Sequence, residues 1–306
     1  MATYINPLTD FGFKRLFGEE PNKDILIGFL NELLPERHQI ADLSYTRNEQ
    51  LGSGEVDRRA IFDVYCTSTG GERFIVELQK AKQNFFRDRS VYYSSFPIRE
   101  QAVRGDWDFR LDAVYTIGIL DFVFSEHEEE DDLLHIVELK DQHCRVFFDK
   151  LKYIYIELPK FRKTEAELAS NFDKWLYVLR YLSRLEERPA ALRERVFEKL
   201  FAEAAISNFT PEERDRYESS LKYYRDLNNV IDTARQEGHA EGHAEGHAEG
   251  HAEGHAEGRV AGHAEGKQRA QLEIARKLLN EGLSPTEVAQ FVGLPREVVQ
   301  QLAGKP

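Results

Sequence analysis

Three side chains carry groups that could do chemistry together: Asp63 within residues 60–66 (Ala-Ile-Phe-Asp-Val-Tyr-Cys), and Glu77 and Gln79 within residues 73–79 (Arg-Phe-Ile-Val-Glu-Leu-Gln). Both segments read as strands, and the link between them holds Gly70 and Gly71. A hairpin turning at Gly70 sets Thr67 opposite Arg73, Tyr65 opposite Ile75 and Asp63 opposite Glu77. Side chains alternate faces along a strand, so Asp63, Glu77 and Gln79 would point the same way. Directly opposed Cβ atoms lie about 4.5–5.5 Å apart, and like charges at that spacing repel. A divalent cation between them removes the conflict, because hard ions such as magnesium prefer carboxylate oxygens. The competing reading puts both acids on a solvated sheet face, a common arrangement. The neighbours oppose it. Phe62, Val64, Ile75, Val76 and Leu78 make a sheet covered on both sides, where a charge needs a partner or a task.

The elements that must hold these residues are legible in outline. Residues 22–34 read as an amphipathic helix stopped by Pro35. Residues 87–104 place Val91, Tyr92, Ser95, Ile98 and Ala102 at helical spacing, with a kink expected near Pro97. The nearly unbroken apolar run 113–121 suits a buried strand, and 133–139 and 152–158 are further strands. From residue 164 to about 236 the pattern is helical, with segments at 174–182, at 192–205 and after Pro211. Helix, strands, helix, strands and then helices make an α/β core with a helical appendage. The expected divisions are a core over 1–160, a helical extension packed on it over 161–236, a repeat over 237–266 and a small helical tail over 267–306.

The repeat is Gly-His-Ala-Glu, with one variant unit at Gly258-Arg259-Val260-Ala261. A period of four is close to a helical turn, so each residue type traces a drifting stripe. Each glycine costs a helix about 1 kcal/mol relative to alanine, and the Glu stripe repels itself at i,i+4. Close approach of a second helix along the Gly and Ala stripes would compensate. The expectation is therefore a helical connector that self-associates, with a flexible linker as the competing reading. The histidines at 239, 243, 247, 251, 255 and 263 have spacing compatible with paired zinc or nickel ligation. Such repetition is also the mark of low-complexity expansion, so incidental affinity is the expectation. In the tail, Ser284-Pro285 can open a short helix, Gly293 can end it and Pro295 can open another. That pattern resembles a helix-turn-helix. Positive charge there is sparse, so a small packed helical hairpin fits as well.

The chain has 306 residues, 41% of them hydrophobic, enough for a substantial core. No apolar run approaches the ~18 residues of a membrane span, and no secretory signal pattern opens the sequence. A cytoplasmic protein is expected. Cys66 and Cys144 sit in apolar, strand-like settings and are expected to be reduced core residues. The formal net charge of −13 argues against a generic basic nucleic-acid coat, while allowing a local basic groove. Much of the acid lies in 126–132 (Glu-His-Glu-Glu-Glu-Asp-Asp), expected as a solvated loop.

A set of ordered motifs then points further. Residues 6–18 (Asn-Pro-Leu-Thr-Asp-Phe-Gly-Phe-Lys-Arg-Leu-Phe-Gly), 62–64 (Phe-Asp-Val), 76–79 (Val-Glu-Leu-Gln), 89–94 (Arg-Ser-Val-Tyr-Tyr-Ser) and 174–176 (Lys-Trp-Leu) resemble the Rpn family. These are recombination-promoting nucleases, or transposases, of the PD-(D/E)XK nuclease superfamily. The resemblance covers about residues 4–235. It implies a restriction-endonuclease-like core, with a central mixed sheet flanked by helices, and DNA endonuclease activity that uses magnesium or manganese. Recombination, mobile elements and defence are all compatible settings. The resemblance assigns Asp63 and Glu77 to the metal. The superfamily has Lys two positions after the second acid; here that residue is Gln79, a poor proton acceptor. Lys80 is excluded by strand alternation, which leaves Lys14 or a metal-bound water as replacements. Asp10 matches an N-terminal acid that can complete the metal shell, or it caps a helix before Phe11. Arg87, Arg89, Tyr92 and Gln101 fall on the helix after the active-site strand, where they could face DNA phosphates; ordinary surface or packing roles compete. A homo-oligomer formed through the helical C-terminal region would suit double-strand cleavage. The alternative is a weak or inactive DNA- or protein-binding module on a nuclease fold.

Overall fold

The structure is a computed structural model that describes residues 2–35, 39–46, 49–50, 60–102 and 105–303. Thr9 starts the first helix, α1 (Asp10–Phe17): its hydroxyl accepts the Gly12 N–H at 3.0 Å, satisfying a donor that the first turn leaves without a partner. Helix α2 (Lys23–Asn31) follows, shorter than the expected 22–34. Strand β1 (Leu43–Tyr45) comes next, and β2 (Glu49–Gln50) and β3 (Ala60–Ile61) form a two-stranded ribbon. Strands β4 (Val64–Ser68) and β5 (Arg73–Gln79) make the hairpin, with the expected pairs Thr67–Arg73 and Tyr65–Ile75. Ser68 N–H donates to Glu72 O at 2.8 Å across the turn, and Gly71 takes the positive φ of 93° that it needs. Helix α3 (Phe86–Glu100) holds Pro97 and stops before the expected 104.

Strands β6 (Val114–Leu120), β7 (Leu134–Lys140) and β8 (Val146–Glu157) complete a six-stranded mixed sheet in the order β1-β4-β5-β6-β8-β7. β5, β6 and β8 run parallel, and the other neighbours are antiparallel. β6, the unbroken apolar run, is buried at all seven positions, as a central parallel strand requires. Register aligns Gln79 with Leu120 and Leu120 with Glu157, so the three parallel strands end level at one sheet edge.

The sheet is covered on both faces. Phe74, Val76, Ile117, Ile119, Ile154 and Ile156 pack into one core with Phe13, Phe29, Trp175 and Phe197 from α1, α2, α4 (Asn171–Tyr181) and α5 (Arg195–Ala204). On the other face Tyr65 and Ile75 meet Phe62 and Phe96, and Leu120, Tyr153 and Tyr155 meet Phe86, both through α3. This α/β core with flanking helices is the expected fold class.

Helix α6 runs from Pro211 to Asn280 and contains the whole repeat. An added Cβ at any of its eight glycines, 238 to 266, would meet nothing within 4 Å. The chain divides into two compact units, 1–231 and 232–306. In the second, Ala275, Val288 and Val299 form a small core with α7 (Pro285–Val292) and α8 (Arg296–Ala303). Ser284 caps α7, and Gly293 closes it in the left-handed conformation at φ 69°.

Two local expectations fail. Cys144 is exposed, at φ 59° in the turn between β7 and β8. Asp141 Oδ1 accepts the N–H groups of His143 and Arg145, each at 2.9 Å, and this turn ends the strand before the thiol could enter the core. Cys66 is buried as expected, and both thiols are free. Asp63 is not a strand residue: it occupies a bend just before β4. The acidic stretch 126–132 is exposed except for His127.

Candidate active site

Asp63 and Glu77 are locked together through the main chain. The Asp63 N–H donates to Glu77 Oε1 at 3.2 Å, and Asp63 Oδ2 accepts the Leu78 N–H at 2.8 Å. The side chain of Asp63 thus continues the pairing that the strand has left, one residue beyond the Val64–Val76 pair. Burial raises the Asp63 carboxyl above its usual range, and the Leu78 N–H and the Lys14 charge only partly offset it. Burial, and then the Asp63 charge, push Glu77 up to about 8, opposed by the Asp63 N–H and by the Arg89 and Lys14 charges. Two half-buried acids side by side, the charge of Asp63 raising Glu77, are a place where a proton or a cation is held. The donors are carboxylate oxygens, which suit a hard divalent ion.

Gln79 shares the Glu77 face of β5 and is buried. Its Nε2 donates to Ala81 O at 2.8 Å, and its Oε1 accepts from Arg89 Nη2. The amide oxygen is thereby committed to a guanidinium. Arg89 is fixed further by Gln83 Oε1 at 2.7 Å, and it lies over the Phe86 and Tyr93 rings.

Asp10 is the first residue of α1 and half-exposed, and it pairs with Lys14 Nζ at 2.9 Å. Thr9 is the cap, so Asp10 is not needed for that task. The charges of Asp10 and Lys14 both act on Asp63, which brings the start of α1 to the acid pair.

Lys80 lies where strand alternation no longer applies, because β5 ends at Gln79. Its charge acts on both Asp10 and Asp63, its pKa is lowered by burial, and its Nζ stands 5.7 Å from the centre of the Tyr223 ring. Excluding it by strand parity was therefore unsound. The warning in the sequence is that the apolar alternation stops at Leu78. The first turns of α6 were also missed as neighbours of the site. Tyr224 donates to Asp121 Oδ2 at 2.7 Å, and the Asp121 N–H donates to Gln79 O at 2.9 Å. Nothing local in residues 217–224 announces this; it follows only from the tertiary fold.

The remaining α3 residues diverge. Arg87 pairs with Glu126 and stacks over Phe124 at 4.4 Å. Tyr92 is exposed and meets Phe96 edge-on at 5.1 Å. Gln101 ties the end of α3 to the segment leading into β6, accepting the Asp112 N–H at 2.6 Å and donating to Asp112 O at 3.4 Å. Asp112 precedes the first residue of β6, so Gln101 stands at the opposite sheet end from Gln79.

The profile of the PD-(D/E)XK nuclease family transposases matches residues 7–234, well over half of the chain, taking in α1 to α5, every strand and the start of α6. The chain belongs to this family. Neither a curated protein nor a solved structure matches it significantly. Membership in the PD-(D/E)XK family ties the chain to nuclease or mobile-element function, and nucleases of this kind usually use divalent metals, although some members are inactive. No helix among the described residues is long and apolar enough to cross a membrane.

Proposed function

We propose that the chain is a magnesium-dependent DNA endonuclease, able to use manganese, whose metal is held by Asp63 and Glu77. The carrying observation is the acid pair itself, half-buried and held side by side by hydrogen bonds from the Asp63 and Leu78 N–H groups. A bound divalent ion would neutralise charge on the scissile phosphate and lower the pKa of an attacking water. Asp63 and Glu77 orient it, and Arg89 keeps Gln79 from swinging into the site. Lys80, with Lys14 beside Asp10, supplies positive charge near Asp63 that the superfamily draws from a lysine in the Gln79 position. Arg87, Tyr92 and Gln101 make at most peripheral contacts with DNA in this reading. A homo-oligomer through the C-terminal helices would place two sites on one duplex. The two free thiols suit a reducing cytoplasm, and the role would lie in recombination, element mobility or defence.

One observation favours a second reading, a binding module that has lost cleavage: the Gln79 oxygen is occupied by Arg89 and cannot accept a proton from water. A magnesium-titrated assay on supercoiled DNA decides between the two. Nicking should require the ion, vanish in Asp63→Ala and Glu77→Ala, and fall at least about tenfold in Lys80→Gln. Equal nicking by wild type and the two alanine variants would reject the assignment. Magnesium-independent DNA binding with no nicking would establish the second reading.

A further inference from the structure

A different cluster lies on the same edge and face of the sheet. Glu157 ends β8 with its side chain fully buried. Its Oε1 accepts the Phe124 N–H at 2.8 Å and lies 3.1 Å from His127 Nδ1. Its Oε2 lies 3.3 Å from His135 Nε2 and 2.8 Å from Lys160 Nζ. The His127 and His135 rings stack at 4.1 Å, and one donor atom from each of the three residues lies within 4.8 Å of the others. His127 comes from a short helical turn (Ser125–His127), His135 from β7 and Glu157 from β8, so separate elements converge here.

Two details distinguish this from an ordinary hydrogen-bonded knot. His135 Nε2 is buried and makes no hydrogen bond, while Glu157 Oε2, 3.3 Å away, is held by the Lys160 ammonium. A tetrahedral zinc shell, with bonds of about 2.0–2.1 Å, sets its donors about 3.3 Å apart. The two imidazole nitrogens lie 3.1 and 3.3 Å from the separate oxygens of Glu157, and one donor from each residue stays within 4.8 Å of the others, near enough for a single ion to gather. Two imidazoles and a carboxylate suit zinc, whereas magnesium prefers oxygen alone. Both histidines line a pocket of ≈ 480 Å³, which leaves a fourth position accessible. Exposed acids at 126 and 128–132 give the approach a negative potential.

We propose that His127, His135 and Glu157 form a site for a zinc-class divalent ion, with three protein donors and a fourth position open to the pocket. The site is independent of the cleavage reading. Lys160 is its built-in competitor. The ammonium neutralises Glu157 when the ion is absent, and it has a second partner, Asp132 O at 2.9 Å, to keep when displaced. Arg87 is the other nearby cation and is already paired with Glu126. Bound zinc would clamp the start of the acidic loop to the end of β8. Register sets Glu157 two strands from Gln79, roughly 10 Å at the usual strand spacing.

The test uses the full chain carrying His239→Gln, His243→Gln, His247→Gln, His251→Gln, His255→Gln and His263→Gln, which removes the repeat as a zinc binder. After equilibration with zinc alone and dialysis, one zinc per chain should be retained, and zinc should raise the unfolding midpoint. His135→Gln and His127→Gln should each weaken retention at least about tenfold and abolish the midpoint shift. Lys160→Met should tighten binding, a gain that no folding defect can mimic. Asp63→Asn should leave retention unchanged. The proposal is overturned if no zinc is retained, if retention survives His135→Gln, if Lys160→Met leaves affinity unchanged, or if retention depends on Asp63.

Discussion

With the metal held as proposed, the carboxylates of Asp63 and Glu77 would make its binding a proton-release reaction. Burial raises Asp63, and burial with the Asp63 charge lifts Glu77 to about 8. In the metal-free protein the pair therefore keeps a proton that an ordinary carboxyl would lose near pH 4–5. A divalent ion must displace it. Magnesium affinity should rise with pH through the window between about 5 and 8 and then level, as calorimetry in buffers of different ionisation enthalpy can check. The sign for stability is opposite. Groups with raised folded pKa values stabilise the fold below their unfolded values, and that contribution is lost as pH climbs towards 8. The metal-free protein should accordingly lose denaturant resistance across this window, and saturating magnesium should restore it. The pairing of Asp63 with Glu77 was legible from chain order and alternation alone. Arg89 on Gln79 was not, because it needs the rotation of α3 against β5. Lys80 was misjudged because a parity rule was carried one residue past the strand that justifies it.

Among the elements, β6 bears a tight constraint. Gly118 sits in its middle, opposite Glu77 on one side and Tyr155 on the other. A Cβ there would come within 2.9 Å of Tyr155 Cδ1. Gly118→Ala should destabilise the core by about 1–3 kcal/mol, read as a lower urea midpoint with an unchanged slope. Because Glu77 is the neighbour in register, cleavage should weaken beyond the loss of folded protein. Apolar runs and Gly turns revealed this sheet, since both report local rules. The early start of β8, at Val146 rather than 152, was not read although Val146, Phe147 and Phe148 are apolar: they are largely exposed along the edge pair with β7, and Asp149, Lys150 and Lys152 break the run before the buried part of the strand.

At the scale of the whole molecule, the family profile ends at residue 234, and the first compact unit ends at 231. Tyr217, Ser220 and Tyr224, the α6 residues that reach Asn6, Phe11 and Asp121, all lie before that point. A chain ending after Gln236 should unfold in one cooperative transition and keep metal-dependent nicking. Intact folding with complete loss of nicking would instead place an essential function in the second unit. That division was partly legible, because the composition changes abruptly at Gly238. Packing of 161–236 on the core was expected, but the particular contacts of Tyr217, Ser220 and Tyr224 were not, because tyrosines on a polar helix look the same whether they face solvent or a sheet.

The repeat within α6 has a further consequence. At about 100° per residue, four residues turn the helix by about 400°, so each repeat position stands about 40° further round than the last, Arg259 taking the place of one histidine. From His239 to His263 the progression covers about 240°. The glutamates follow the same winding course. Imidazole and carboxylate are thus dealt around most of the circumference, and no side of this segment belongs to either. A body meeting it broadside encounters a similar mixture from most directions of approach. Whatever recognises this stretch must recognise a cylinder, and must wind with it to stay on one residue type.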